Sequence, residues 1–354
     1  MAKVWSIEEI KAQRRQGTVE TAIPFVLDGK VYEAPKKIVN GEMETFDLGR
    51  PIGEMLTNET ARKELLQKVV LDVELGREQV PVLYTPIYER LQDPNFPQDF
   101  EAKWAQYGTV IFFEHLEGEE VKFGSLQAEK GPIAHIRGYA AGFEYTKEIE
   151  LFNQTFNLEL LNRAFGEAHN AILNHLHLGP IVTYNYKAAN KTGPVYVDET
   201  GKVLESATGS HYTLSLRATL RQALKDARVA KRPGTILLAS SADREDIAEA
   251  LASFTIQATP YRALDGISDI VYYDGWTAKV GKKDYSYTGV TGGKAYLIRP
   301  KRGFKELIKQ DLQINATMGD ITRLVESQIV GDFWRGVFAA VDENVQEITF
   351  PAQG

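Results

Sequence analysis

The sequence predicts an α+β fold with an extended leading part, and three observations carry that prediction. Seven of the 14 prolines fall before residue 100, at Pro24, Pro35, Pro51, Pro81, Pro86, Pro94 and Pro97. Proline breaks helices and central strands. A helical apolar periodicity then runs up to His177, the mark of one long helix. Beyond residue 235, short apolar runs alternate with capped helical stretches.

The 354 residues suffice for a core without covalent staples. Lys plus Arg total 41 against 48 Asp plus Glu, a formal charge of −7, which excludes a generally basic coat but not a local basic face. The absence of cysteine excludes disulfides, thiolate metal sites and cysteine nucleophiles. No apolar run approaches the ~20 residues of a membrane helix. The first residues carry Glu8 and Glu9 where a secretory signal has its apolar stretch. A soluble, intracellularly made chain is expected.

Taken in order, the first hundred residues should be extended and interrupted, with one helix at about 59–75 opened by Thr57-Asn58. Such a segment should find its partner surface elsewhere, on another chain. Residues 109–116 and 119–126 read as a hairpin around Glu117-Gly118 with an acidic tip. Residues 133–145 form a third extended run. The long helix is expected at about 146–177, with Leu158, Leu161, Phe165, Ala168, Ile172 and Leu176 on one face and Arg163, Glu167, Asn170 and Asn174 opposite. Ile149, Phe152, Phe156 and Leu160 suggest that its first half is covered on two sides and its second on one. Gly179-Pro180 should stop it.

Residues 181–213 suggest short strands or an ordered loop. A second helix at about 214–230 carries Leu216, Leu220, Ala223, Leu224 and Ala227 on its apolar face. Arg217, Arg221, Lys225 and Arg228 form a basic stripe opposite, suited to nucleic-acid phosphates, to an acidic neighbour, or simply to water. Residues 235–239 read as a buried strand, Ser240-Ser241 as a helix cap, and 270–273 and 295–298 as further strands. Residues 304–312 suggest a short helix, and 321–350 alternate in places.

Motifs for chemistry are weak. Lys294 lies in Gly289-Val290-Thr291-Gly292-Gly293-Lys294-Ala295, an echo of a phosphate-binding loop. Its glycine spacing is one residue short and Ala295 replaces the magnesium-holding hydroxyl, so it reads as a glycine turn between strands. None of the six histidines sits four residues from another, so no helical metal pair is expected. No Gly-x-Ser-x-Gly elbow occurs. Asn344 with Lys122 or Lys130 could form an isopeptide bond given a buried carboxylate, a chemistry the sequence alone does not position. No catalytic residue, cofactor or metal is expected.

The order of these features resembles the major capsid proteins of tailed bacteriophages, with the Hong Kong 97-type capsid fold. The resemblance is carried by the proline-interrupted arm, the hairpin, and the approach Ile133-Ala134-His135-Ile136-Arg137-Gly138-Tyr139-Ala140-Ala141-Gly142-Phe143 into a spine helix. The closing stretches Gln328-Ile329-Val330-Gly331-Asp332-Phe333-Trp334-Arg335-Gly336-Val337-Phe338 and Asn344-Val345-Gln346-Glu347-Ile348-Thr349-Phe350 complete it. The resemblance implies an N-terminal arm over 1–98, an extended loop over 99–138, a peripheral domain over 139–211 and 321–354, and an axial domain over 212–320. It further implies pentamers and hexamers of an icosahedral shell around double-stranded DNA, assembled in a host cytoplasm and residing in the virion. Scaffold, portal and decoration proteins are further partners, and no membrane is involved. Val110, Phe112, Val121 and Phe123 are the candidate contacts between subunits. The rival readings are an encapsulin-type nanocompartment shell, distinguished by protein cargo in place of DNA, and a soluble α/β enzyme, distinguished by a monomer or dimer with a filled cleft.

Overall fold

The computed structural model describes residues 18–19, 25–27, 30–32, 38–39, 59–101, 133–146, 155–256, 259–280, 283–318 and 325–352. Short strands come first: β1 (Thr18–Val19), β2 (Phe25–Leu27), β3 (Lys30–Tyr32) and β4 (Ile38–Val39). Helix α1 (Glu59–Gln79) outlasts its expected end by one turn. An irregular stretch leads to β5 (Glu89–Gln92) and β6 (Asp99–Glu101). The expected hairpin at 109–126 lies outside the described residues. The chain resumes with β7 (Ile133–His135) and β8 (Arg137–Thr146), followed by the spine helix α2 (Thr155–Val182).

After α2 come β9 (Lys191–Thr192), β10 (Tyr196–Val197) and β11 (Val203–Leu204), then helix α3 (Tyr212–Val229). Next are β12 (Ile236–Ala239), α4 (Arg244–Leu251), β13 (Phe254–Ile256), β14 (Thr259–Tyr261) and β15 (Asp269–Tyr272). The hairpin β16 (Gly275–Val280) and β17 (Lys283–Thr288) precedes β18 (Lys294–Ile298). Two 15-residue strands, β19 (Phe304–Met318) and β20 (Val325–Ala339), lead to a one-turn α5 (Val341–Asn344) and β21 (Val345–Thr349).

Two sheets organise these elements. One runs β15-β12-β18-β21-β9. Every residue of β12 is buried, because the sheet is covered on both faces. Leu237, Ala239, Ala295, Leu297 and Ile348 meet α3 and α4 on one side. Ile236, Leu238, Tyr296, Ile298 and Val345 join the main core on the other. A strand buried on both faces reads as a continuous apolar run, which is why Ile236–Ala239 is legible. The second sheet runs β3-β2-β19-β20-β8, with β5 also parallel to β19 beside Lys305–Ile308. Its inner face packs on α2 through Ile329, Gly331 and Phe333.

Several expectations are corrected. Residues 304–312 are strand, not helix. The spine helix passes through Pro180 and ends two residues later at Val182, just beyond which Thr183 N–H donates to Gly179 O at 2.9 Å. Proline removes one helical hydrogen bond there, but the fully buried Leu178 and Ile181 anchor that turn. The second half of the spine is more deeply covered than expected: Leu173, His177, Leu178 and Ile181 are fully buried, whereas Leu160 and Leu161 are exposed, and Ile149 and Phe152 lie outside the described residues. Asn170 and Asn174, placed opposite the core, are buried as well. Strands on either side of residue 320 pair with one another, β19 with β20 and β18 with β21.

The leading segment is corrected in part. Residues 59–101 fold back on their own chain rather than awaiting another: Val69, Val70 and Val73 of α1 are fully buried in the main core. The approach is close because two glycines face it. A Cβ on Gly76 would lie 2.0 Å from Arg163 O, and one on Gly166 would lie 2.0 Å from Val73 O.

Candidate assembly site: a buried clamp beneath an open sheet face

Strands β19 and β20 place Glu306, Asp311 and Arg335 on the side of the sheet that meets α2. All three are buried. The Arg335 guanidinium pairs with the Glu306 carboxylate, donates to Asp311 Oδ1 at 2.6 Å, and donates to Tyr84 Oη at 3.1 Å. Tyr84 in turn donates to Glu306 Oε1 at 2.9 Å. Arg90 closes the array with hydrogen bonds of 3.1 and 3.0 Å to the Asp311 oxygens. Two cations thus meet two carboxylates, which is the condition for burying charge without leaving one unpaired.

The clamp grips residues 84–92 from one side, and α2 grips the same stretch from the other. The His177 ring stacks on Tyr84 at 3.5 Å between centroids, with the ring planes nearly parallel, while its Nδ1 lies 2.7 Å from Leu173 O. Its Nε2 lies 3.4 Å from Glu306 Oε1, a long electrostatic contact. Tyr88 donates to His177 O at 2.7 Å and packs edge-on against the same ring. One turn earlier, Asn174 treats the connecting chain as a strand: it donates to Pro81 O at 2.7 Å and accepts from Leu83 N at 2.9 Å. Asn170 donates to Arg77 O and Val80 O at 2.8 and 2.9 Å, satisfying carbonyls at the end of α1.

The electrostatics follow the geometry. Burial pushes the Glu306 carboxyl up, but the His177 contact, the Arg335 charge and the Tyr84 hydroxyl outweigh it and hold the group at about 2. Burial, with the Glu306 charge beside it, pushes the Tyr84 hydroxyl well above the phenol range. The imidazole of His169 is driven below its ordinary value, first by burial and then by Arg77 and Arg335. These groups are locked in one protonation state, and the arrangement pins structure.

The opposite face of the long sheet is covered at one end, where Ala134, Ile136, Leu307 and Phe338 are buried together, and open, among the described residues, around Val330 and Trp334. Val330 and Trp334 of β20 are 41% and 43% exposed. Each stands directly across from a glycine of β8, Gly142 and Gly138. A Cβ on Gly138 would lie 2.9–3.0 Å from the indole ring, so the missing side chain is what lets Trp334 lie down on the neighbouring strand. Beside it a cleft of about 380 Å³ is lined by Gln98, Ile136, Lys309, Gln310 and Trp334. An exposed Trp and Val beside the Gly- and Ala-rich β8 form an apolar surface suited to another protein.

The sequence candidates fall as follows. Val110, Phe112, Val121 and Phe123, with Lys122 and Lys130, lie outside the described residues. Arg217 is not on an outer stripe. It is buried, and its guanidinium donates to Ala250 O at 2.8 Å, to Ala252 O at 3.2 Å and to Arg262 O, joining α3 to the turn after α4. Arg221, Lys225 and Arg228 are exposed. The glycine turn at 289–295 joins β17 to β18, and Gly293 N–H points at the carboxylate of Asp243 at 2.9 and 3.2 Å. The anion on that loop is therefore the chain's own carboxylate. Lys294 pairs with Glu347 at 3.2 Å. Asn344 is buried and donates to Ala340 O at 3.0 Å. Among the described residues no cluster of three metal-ligating side chains occurs, and no helix is long and apolar enough to cross a membrane. The clamp was missed altogether: Tyr84 and Arg335 are 251 residues apart, and no local pattern signals their meeting.

No family model matches the sequence, and no curated protein matches it. Solved structures do resemble the fold. A chain in the asymmetric unit of the bacteriophage PhiM1 mature capsid is 11% identical, with 75% of this chain and 86% of that chain covered and a TM-score of 0.50. The fold is the Hong Kong 97-type capsid fold. The virus-like particle from Pyrococcus furiosus is similar at 13% identity, covering 80% of this chain and 99% of that chain, TM-score 0.47. The holo-SrpI encapsulin complex from Synechococcus elongatus PCC 7942 is similar at 9% identity, covering 75% and 86%, TM-score 0.42. In Hong Kong 97-type terms, α2 is the spine helix, and β19, β20 and β8 form the long sheet against it.

Proposed function

We propose that the chain is a structural subunit of an icosahedral phage head, assembling into pentamers and hexamers around double-stranded DNA and performing no catalysis. The observation that carries this reading is the Hong Kong 97-type fold itself, matched to a mature phage capsid over three quarters of the chain. The open face with Trp334 and Val330 supports it, because a self-sufficient monomer gains nothing from holding an indole in water. The buried clamp supports it as well: contacts between copies need a body that keeps its shape when stressed, and a balanced charge array with stacked rings supplies a rigid one. On this reading the loop over 99–138, and those parts of the 1–98 arm that do not pack on their own body, reach across neighbours, the region 212–320 faces the symmetry axes, the virion is the site of residence, and the basic residues of α3 lie at a contact.

Gel filtration and negative-stain microscopy of the purified chain test the proposal. Closed particles of uniform size are expected, carrying nuclease-protected DNA when recovered from infected cells. Particles that enclose a dedicated protein and no DNA turn the reading to an encapsulin-type compartment. A discrete monomer or dimer at all concentrations overturns it.

A further inference from the structure

Helix α3 and helix α4 pack on the same face of the five-stranded sheet but over opposite halves. The Arg244 guanidinium of α4 sits over the Tyr272 ring of the edge strand β15, at 5.4 Å. Helix α3 is tied toward the other edge, where Thr192 of β9 donates to Asp226 at 3.0 Å and Val197 N–H donates to Ser215 Oγ at 2.9 Å. Each helix turns a charged row outward. On α3 the exposed Arg221, Lys225 and Arg228 run for about 10 Å along the axis. On α4 the exposed Glu245 and Glu249 stand one turn apart, about 6 Å along the axis, with the exposed Ala248 beside them. Among the described residues Arg221, Lys225, Glu245 and Glu249 have no ion-pair partner within the chain. Glu249 accepts a 3.4 Å hydrogen bond from Thr213. Val229, next to the cationic row, is 75% exposed.

We infer that the basic row of α3 docks on the acidic row of α4 in a second copy of this chain, head to tail around a ring. The inference rests on the shell reading above and assigns the partner of a surface that reading leaves open. The argument is symmetry and charge. A ring needs two different, mutually complementary patches on each copy, facing different ways. These rows are opposite in sign, comparable in length, and set over opposite halves of one sheet, so a rotation beside the domain presents the α3 row of one copy to the α4 row of the next. Val229 then covers apolar surface at the end of the cationic row, near Ala248. Duplex DNA is the competing occupant for a cationic row, but it supplies no reason for an unpaired acidic row over the other half of the sheet. Contacts of this kind set register and partner choice and weaken with salt, because the Debye length is about 8 Å at physiological ionic strength.

Charge reversal tests the contact. Three variants of the chain are made: R221E/K225E, E245K/E249K, and all four together. All four positions are exposed, so circular dichroism should match wild type in each. Particle yield is read by analytical ultracentrifugation at low and high salt. Each double variant is expected to lose about tenfold or more of the assembled fraction, and the quadruple variant to recover it. Unchanged yield in either double variant overturns the inference. So does a loss in R221E/K225E that the quadruple variant fails to rescue, and so do R221E/K225E particles that form normally but lose DNA, which assigns the row to phosphates. A wild type that assembles while the quadruple variant does not recover overturns this contact alone, whereas a wild type that never assembles overturns the shell reading together with it.

Discussion

Replacing Arg335 with methionine keeps most of the buried volume and removes the centre of the clamp. Asp311 retains Arg90, with hydrogen bonds of 3.1 and 3.0 Å, so the penalty falls on Glu306. That carboxylate, buried at 3% exposure, keeps the Tyr84 hydroxyl at 2.9 Å and the long His177 contact at 3.4 Å. Breaking a buried ion pair from one side costs about 3–5 kcal/mol. The pKa gives a similar magnitude: a Glu306 carboxyl held at about 2 against an ordinary 4.5 represents about 3 kcal/mol at neutral pH. Against the ~5–15 kcal/mol stability typical of a folded domain this is a large fraction. Urea unfolding of the unassembled chain, followed by circular dichroism, measures it. The pH dependence has a defined sign. In wild type the depressed Glu306 pKa gives stability that is complete above about 4.5 and is lost as pH falls toward about 2. In R335M burial acts on Glu306 without the Arg335 charge, so its carboxyl rises and the folded state takes up a proton. The gap between variant and wild type should therefore narrow between pH 7 and pH 5. The double variant R335M/E306Q, which removes the stranded charge, should recover part of the loss at pH 7. A loss in R335M below about 1 kcal/mol, or a gap that widens on acidification, would refute the reasoning.

Gly166→Ala should destabilise although alanine favours a helix by about 1 kcal/mol, because the new methyl meets Val73 O at 2.0 Å and Arg77 N at 2.9 Å, both backbone atoms. Overpacking of this kind costs about 1–3 kcal/mol or more, and a thermal melt that is unchanged or raised would contradict the close approach of α1 and α2. Asn174→Leu strands Pro81 O and Leu83 N away from their partner. A cost of about 2–4 kcal/mol is expected, with faster proteolysis of the 80–92 stretch, and wild-type protease resistance would show that the stretch is held by other contacts.

Much of the architecture is legible in the sequence where one physical signal dominates. The apolar periodicity marks α2 and α3, the opening Thr57-Asn58 marks α1, and Ile236–Ala239 announces a strand covered on both faces. The failures have identifiable causes. Phe304, Leu307, Ile308 and Leu312 mimic a helical stripe, yet they belong to a strand whose pairing slips between Ile308 and Gln310 and again between Gln310 and Gln313. Each slip disturbs the two-residue alternation by which a strand is recognised. Leu307 is buried on the other side of the strand with Ala134, Ile136 and Phe338, which removes the alternation altogether. Charge misleads in the same way. Glu306, Asp311, Arg335 and Arg217 are buried because partners distant in sequence satisfy them, and Asn170 and Asn174 are buried because they serve the backbone of another segment. Neither kind of partner is visible locally. The open face is written in the sequence as Gly138 and Gly142 across from Trp334 and Val330, but pairing those residues requires the register of β8 on β20.

Cryo-electron microscopy of the purified 354-residue chain tests the central claim most directly. The account predicts closed shells in which Trp334 and Val330 are covered by a neighbouring copy while the Arg335 clamp is unchanged inside each subunit. Isolated subunits with both side chains in water at every concentration examined would contradict it.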